Sequence, residues 1–335
     1  MKASDFDYYL PEEQIAYHPA PQRQNSRLLL LNKKDGGIRH RNFYELPDFL
    51  NPGDLLVLNN TKVIPARLFG KRASGKEIEI LLVEKLDDTK WKCLVKNPKA
   101  NLEVLFDEGG RGKLHLSEEN DWVIEFEENA KKYLDLFGRM PLPPYIKREP
   151  CDADKISYQT VYANNEGAIA APTAGLHFTH ELLDEIKSRG VEIKYVTLHV
   201  GIGTFKPVKV ENIKDHKMHE EYVSVPENTA SAVNKAKAEG RRVVAVGTTV
   251  VRTLESSVNE NGEVISCSGQ TDLFILPGFK FKAVDALITN FHLPRSTLLM
   301  LVSAFSRREY IFKAYDEARE QNYRFLSYGD AMFIS

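Results

Sequence analysis

Cysteine is scarce: the chain has three, Cys93, Cys151 and Cys267, far apart in sequence. Their odd number and spacing argue against a disulfide framework, a CxxC metal site and an iron–sulfur ligand set. Long apolar runs are missing as well. No stretch of about eighteen apolar residues occurs, so no membrane span is expected. The start, Met1-Lys2-Ala3-Ser4-Asp5-Phe6-Asp7, lacks the basic and apolar regions of a signal peptide, and the expected location is the cytoplasm. Charge of one sign is not in excess either: 45 Lys and Arg against 47 Asp and Glu give a net charge of −2. That argues against coating nucleic acid by bulk attraction and leaves room for a local basic face. No internal repeat or low-complexity segment is visible.

What is present is an ordinary globular composition, 42% hydrophobic and 27% charged, over 335 residues, a length that suits about two domains. Two textures alternate. From about Val63 to Ile146 short alternating stretches are separated by turns such as Asp87-Asp88-Thr89 and Asp107-Glu108-Gly109-Gly110. Period-two alternation with Asp and Gly at the bends predicts antiparallel strands in a small barrel or sandwich. Met140-Pro141-Leu142-Pro143-Pro144-Tyr145 reads as a rigid exit linker. Beyond it, Gly167 to Ala171, Glu181 to Arg189 and Val191 to Val200 read as a β-α-β unit, with Gly190 closing the helix. A second unit runs from Pro226 through Arg241–Gly247 to Val258, and strands are expected at Leu273 to Leu276 and Ala286 to Thr289. The apolar runs Leu28–Leu31 and Leu55–Leu58 resemble this half more than the middle. The predicted architecture is an α/β domain, largely parallel in its sheet, formed by residues 1–62 and 151–335. A β-barrel-like domain, 63–150, is inserted in it.

Polar turns recur beside the strand ends. In AAPTAGLHFT (170–179), Thr179 is a good N-cap and Phe178 could staple against Leu183, which leaves Gly175 and His177 as either an ordinary turn or a pocket wall. In TLHVGIGTFKP (197–207), His199 precedes Gly201, Gly203 and Thr204, glycines that permit close backbone approach to a ligand. A dinucleotide or methyltransferase loop would need a helix directly after the glycines, and Pro207 opposes one. His216 and His219, three apart beside Glu220, can share a helix face; the spacing is not HExxH and no third ligand is signposted, so no metal is expected. Gly247-Thr248-Thr249 with Arg252 could be a polar cradle or a capped helix with a salt-bridged arginine. Asn290 and His292 mark a fourth strand end, and Asp272 precedes another strand. Together these turns point to one shared cleft.

These segments, with FDYYLPEEQIAYHP, DLLVLNNTKVIPARL, GRMPLPPYI, ALITNFHLPRSTLLMLVSAF and YRFLSYGDAMFI, resemble the S-adenosylmethionine:tRNA ribosyltransferase-isomerase family of queuosine biosynthesis from Phe6 to Ile334. The region from Lys71 to Leu136 carries least of the likeness. The resemblance implies a transferase-isomerase that moves the ribosyl part of S-adenosylmethionine, its co-substrate, onto 7-aminomethyl-7-deazaguanine at the tRNA wobble position. Epoxyqueuosine forms, and adenine and methionine leave. Such chemistry calls for a base near neutral pKa and an acid to assist adenine, for which His177, His199, His219 and His292 are candidates with roles unassigned. Asp272 or Glu220 could balance the sulfonium charge. Thr248, Thr249 and Arg252 could hold ribose hydroxyls or the methionine carboxylate, beside Gly175, Gly201, Gly203, Thr204 and Asn290. The tRNA anticodon stem-loop needs a basic face: Lys62, Arg67, Lys71 and Arg72 lie at the entrance to the insert, and Arg139, Lys147 and Arg148 at its exit. A monomer is expected. The competing readings are a conventional methyltransferase and a noncatalytic RNA-binding protein.

Overall fold

The computed structural model describes every residue except 202, 204–207 and 209. The apolar runs become buried strands: Arg27–Leu31 (β1) pairs with Ile38–Asn42 (β2), and Leu55–Asn59 (β3) is buried throughout. Through Thr61–Val63 (β4) the chain enters six strands, Arg67–Arg72 (β5), Glu77–Lys85 (β6), Lys90–Val95 (β7), Leu102–Leu105 (β8), Arg111–Leu116 (β9) and Trp122–Phe126 (β10). The helices Ala130–Phe137 (α1) and Asp154–Ser157 (α2), strand Asn165–Ala168 (β11) and helix His180–Ser188 (α3) lead back to the sheet. Its remaining parts are Glu192–Leu198 (β12), Glu221–Val225 (β13), helix Glu227–Ala238 (α4), Val243–Val246 (β14), helix Thr248–Ser256 (α5) and Cys267–Thr271 (β15). Ala286–Asn290 (β16), helices Thr297–Phe305 (α6) and Arg308–Glu320 (α7), and Ala331–Ile334 (β17) complete the chain.

Among the described residues one sheet has the order β15-β13-β12-β3-β14-β16-β17-β1-β2. Its centre, β12, β3, β14 and β16, is parallel, as is the pair β17 and β1, and antiparallel strands complete it. Helix α3 places Leu182, Leu183 and Ile186 against Leu56, Leu58 and Val244 on one face. Helices α4 to α7 cover the other, with Val233, Val251, Leu301 and Tyr315 in its core. Strands β10-β7-β6-β5-β8-β9 close into an antiparallel barrel. Alternation explains it: Ile78, Ile80 and Leu82 of β6 point inward with Trp91, Phe106 and Phe126. At the barrel's base Arg67 and Arg139 exchange backbone hydrogen bonds at 3.2 and 2.8 Å.

Two expected elements differ. The strand before α3 does not join the sheet: Asn165–Ala168 pairs with Thr61–Val63 in a separate ribbon, and the parallel partner of β12 is β3. Asn165-Glu166-Gly167 has no apolar side chain to bury between two helical layers, so a sheet position gives it nothing. The strand expected at Leu273–Leu276 falls earlier, at Cys267–Thr271. The chain then turns under the sheet, where Ile275 is 1% exposed and Leu273, Phe274 and Leu276 pack on the core instead of pairing.

Candidate functional site

The sheet's strand ends converge on a slot of about 60 Å³. Thr173 and Ala174, Gly247 to Thr249, Asn290 to Leu293 and Ser327 line it, as does Tyr145 of the proline-rich linker, whose hydroxyl meets Ser327 Oγ at 2.7 Å. Gly247 has φ of +92°, which lets β14 turn directly into α5. It offers no side-chain cap, so the first amides of α5 keep their capacity for an anion. Thr249 Oγ1 is buried there without a hydrogen-bond partner among the described residues.

Two expected histidines stand at or behind this slot. His177 lies behind it, stacked on Phe43 with ring centroids 4.9 Å apart. Its Nδ1 meets Ser26 Oγ at 2.7 Å and its Nε2 meets Asn290 Nδ2 at 3.3 Å. The amide donates to Nε2, so Nδ1 carries the proton and donates to Ser26. Asn290 in turn accepts from Thr173 Oγ1 at 2.8 Å. Burial, with Arg324 and Arg23 nearby, pushes His177 down to about 3, and both its nitrogens are engaged. His292 lines the slot, with Nε2 2.9 Å from Thr289 Oγ1, and burial pushes it to about 3 also. Both are neutral at physiological pH.

Gly175 has a packing reason: an added Cβ would fall 2.1 Å from Tyr162 Oη. It does not line the slot, so the ligand-binding expectation for Gly175 gives way to close packing.

A larger cavity, about 570 Å³, lies between sheet and barrel and is lined by His199, Gly201, Glu220, Glu221 and Tyr222 opposite Trp91 and Lys131. His199 stacks on Tyr222 with centroids 5.2 Å apart, and its Nδ1 meets Thr61 Oγ1 at 2.8 Å. Burial lowers its pKa. The polar run Asn59-Asn60-Thr61 sets this geometry. Asn59, fully buried, donates Nδ2 to Leu198 O at 3.0 Å, and its Oδ1 accepts from the Leu198 and Thr61 amides at 3.1 Å. Sequence reasoning passed over these residues, although three polar side chains directly after an apolar strand are the signal that finds them.

A third recess, about 20 Å³, holds Gly203, His216, His219, Glu221 and Arg252. The segment 216–220 is irregular, so His216 and His219 share no helix face; a short 3-10 turn ends at Asp215 and the chain runs on without helical bonds. Among the described residues no cluster of three or more His, Cys, Asp or Glu could hold a metal. Arg252 does not face the slot. It forms a buried ion pair with Glu221, both side chains 6% exposed, and Glu221 Oε1 accepts from the Gly201 amide at 2.9 Å. Asp272 is exposed and lines none of the three spaces, because the chain leaves the sheet edge after Thr271. Thr204 lies outside the described residues, as do Ile202, Lys206 and Pro207. The three spaces adjoin: Val200 lines the slot and the large cavity, Leu298 the slot and the recess, and Glu221 the cavity and the recess.

Several hinge cations are already partnered. Lys62 pairs with Glu166 at 2.9 Å, Arg67 with Glu79 at 2.6 Å, Lys147 with Glu12 at 2.5 Å and Arg148 with Asp154 at 2.7 Å. Arg72 donates to Asn97 O at 3.0 Å, Lys71 is exposed, and Arg139 lies 4.7 Å over the Phe69 ring.

Polar strand ends gathered round a slot, with a barrel closing a larger cavity beside them, define an α/β protein whose polar groups converge on adjoining spaces. A family model described as "Queuosine biosynthesis protein" matches residues 3–334. The chain is 54% identical over 340 residues to the S-adenosylmethionine:tRNA ribosyltransferase-isomerase of Carboxydothermus hydrogenoformans, covering 100% of both, and 51% identical over 342 residues to that of Geobacter sulfurreducens, again covering 100% of both. The crystal structure of the Thermotoga maritima S-adenosylmethionine tRNA ribosyltransferase is 40% identical, covers 99% of this chain and 100% of that one, and superposes with a TM-score of 0.59. The chain belongs to the queuosine biosynthesis protein family. No helix among the described residues is long and apolar enough to cross a membrane.

Proposed function

We infer that the chain is an S-adenosylmethionine:tRNA ribosyltransferase-isomerase. The observation that carries this reading is identity of 50–54% along the whole chain to five curated proteins of that name. The substrates are S-adenosylmethionine and a tRNA carrying 7-aminomethyl-7-deazaguanine at the wobble position. The products are epoxyqueuosine-tRNA, adenine and methionine. The enzyme acts as a cytoplasmic monomer.

The division of labour follows from the groups available. His199 is the base: with Nδ1–H donated to Thr61, its Nε2 lone pair takes the proton from the ribose carbon beside the sulfonium, and adenine departs. His219, beside the Glu221–Arg252 pair, is placed to supply a proton to the leaving base. His177 and His292, neutral and hydrogen-bonded, hold Asn290 and Thr289 in place and move no proton. The free amides of α5 and Thr248 and Thr249 bind the methionine carboxylate or a ribose hydroxyl. Residues 1–62 and 151–335 act as the catalytic unit and 63–150 as the insert, with Lys71, Arg72 and Arg139 facing the anticodon stem-loop.

Ribose-labelled S-adenosylmethionine with precursor tRNA tests the reading. Label in tRNA together with free adenine supports it; a methylated product would show a methyltransferase, and binding without turnover an RNA-binding protein. Arg139→Glu should weaken RNA binding and flatten its salt dependence by about one charge.

A further inference from the structure

We propose that the 570 Å³ cavity between barrel and sheet is the pocket for the RNA base drawn out of the anticodon loop, with Trp91 of the barrel as its hydrogen-bond donor. The proposal rests on the tRNA-modifying reading and deepens it, placing the acceptor base against a part of the chain that no motif marks.

The size of the space comes first. The slot, at about 60 Å³, admits only the end of a ligand, whereas about 570 Å³ falls in the range of sites that enclose a small molecule or base. Both parts of the molecule build its walls: Val83, Trp91 and Leu134 on the barrel side, and Gly167, His199 and Tyr222 on the other. RNA bases are read where they can be splayed out and stacked on aromatic rings, and the stacked His199–Tyr222 pair presents such a surface.

The second observation is independent. Trp91 is 7% exposed, and its buried Nε1–H has no hydrogen-bond partner among the described residues. Indole nitrogen is a donor only, so an acceptor must reach it, and a purine-type base offers carbonyl and ring-nitrogen acceptors. Nothing in the barrel's fold requires tryptophan there; Phe fills the equivalent inward role at Phe106 and Phe126. A buried donor left unpaired in a folded chain calls for such an explanation.

Charge is the third. The cavity wall carries Glu84, Asp88, Glu166, Glu220 and the Arg252-paired Glu221 against two cations, Lys85 and Lys131, an excess of acid. Three of these are shared with lysines, Glu84 with Lys92, Asp88 with Lys85 and Glu166 with Lys62, while Glu220 is exposed on the wall. A base bearing a protonated aminomethyl group is a cation and fits an acidic wall. Held at Trp91 with its amine toward Glu220, the base brings that amine toward Val200, which borders the slot as well, so amine and ribose can meet.

The chain has two tryptophans, so Trp122→Phe leaves Trp91 as a lone fluorescent reporter in an otherwise intact pocket. The variant is titrated with three probes: an anticodon stem-loop carrying 7-aminomethyl-7-deazaguanine, the same stem-loop with adenine in that position, and S-adenosylmethionine alone. The first should shift Trp91 emission and the other two should not. Separately, Trp91→Phe should raise KM for the precursor RNA about tenfold and leave KM for S-adenosylmethionine unchanged, a split that general loosening of the barrel does not produce. An equal response to the adenine stem-loop, a response to S-adenosylmethionine alone, or unaltered RNA binding by Trp91→Phe overturns the pocket. Absence of ribosyl transfer by the unaltered chain defeats the parent reading instead. Transfer retained with an unresponsive Trp91 defeats only the pocket.

Discussion

At the strand ends of the sheet, Asn59, Thr61, Thr289 and Asn290 are no more than 2% exposed and bond to one another's neighbours or to a histidine. On the barrel the polar groups sit outside: in Lys85–Asp88, Lys90–Glu125 and Lys132–Glu128 every side chain is at least 40% exposed. Buried polar groups cost free energy unless satisfied, so they fix geometry tightly where they occur. Exposed pairs add solubility and little else. The sheet therefore places most of the buried polar groups, and the barrel supplies mainly shape, with the Trp91 donor as its exception.

The contrast can be broken most forcefully at the Glu221–Arg252 pair. Arg252→Met removes the cation that faces the buried Glu221 carboxylate and should cost about 3–5 kcal/mol in denaturant unfolding, much of it recovered by adding Glu221→Leu. Next comes Gly175→Ala, whose methyl would meet Tyr162 Oη; it should cost about 1–3 kcal/mol. Tyr162→Phe should relieve only part of it: the hydroxyl has no hydrogen-bond partner among the described residues to lose, but Thr160 Cγ2 would still lie 2.8 Å from the new methyl.

Acid provides a third test. His177 and His292 are held near 3 when folded, whereas the unfolded chain takes up protons near 6.5. Stability is thus full above about 6.5 and falls as pH drops toward 3, by about 1.4 kcal/mol per pH unit for each imidazole. Unfolding midpoints measured against pH should show this slope, and His177→Asn should reduce it.

Smaller in free energy, but sharper for function, is Thr61→Val. It keeps the shape and removes the hydroxyl from His199 Nδ1, so turnover should fall about tenfold with an altered pH profile, and Thr61→Ser should restore both. Lys132→Ala, on the barrel's surface, should leave the denaturant midpoint unchanged. A large loss there would erase the contrast.

Much of this was legible in the sequence. The runs at Leu28 and Leu55 announced buried strands, because continuous apolar residues suit a sheet covered on both faces. Period-two alternation announced the barrel, and Thr179 capped its helix as expected, accepting from the Leu182 amide at 3.2 Å. Strand partners were less legible: Asn165–Ala168 has no apolar signature, and its pairing with Thr61–Val63 depends on residues about a hundred positions away. Histidine roles were hidden for a similar reason. His177 and His199 both lie beside polar, glycine-containing turns in sequence, yet one is enclosed between Ser26 and Asn290 while the other opens on a cavity. Trp91 escaped notice because alternation assigns it to the barrel core, where most of its ring does lie.

The exchanged backbone bonds of Arg67 and Arg139 set those two residues side by side, with Cα atoms about 5.5 Å apart in such a pair. The chain between them therefore leaves and returns through one doorway. It is a cassette: the route of the chain through the sheet has the same length with or without residues 68–138, and only Ile64, Ala66 and Ile169 reach from outside that block into the barrel's buried core. Change within that block therefore leaves the path of the sheet strands, and the polar groups at their ends, where they were.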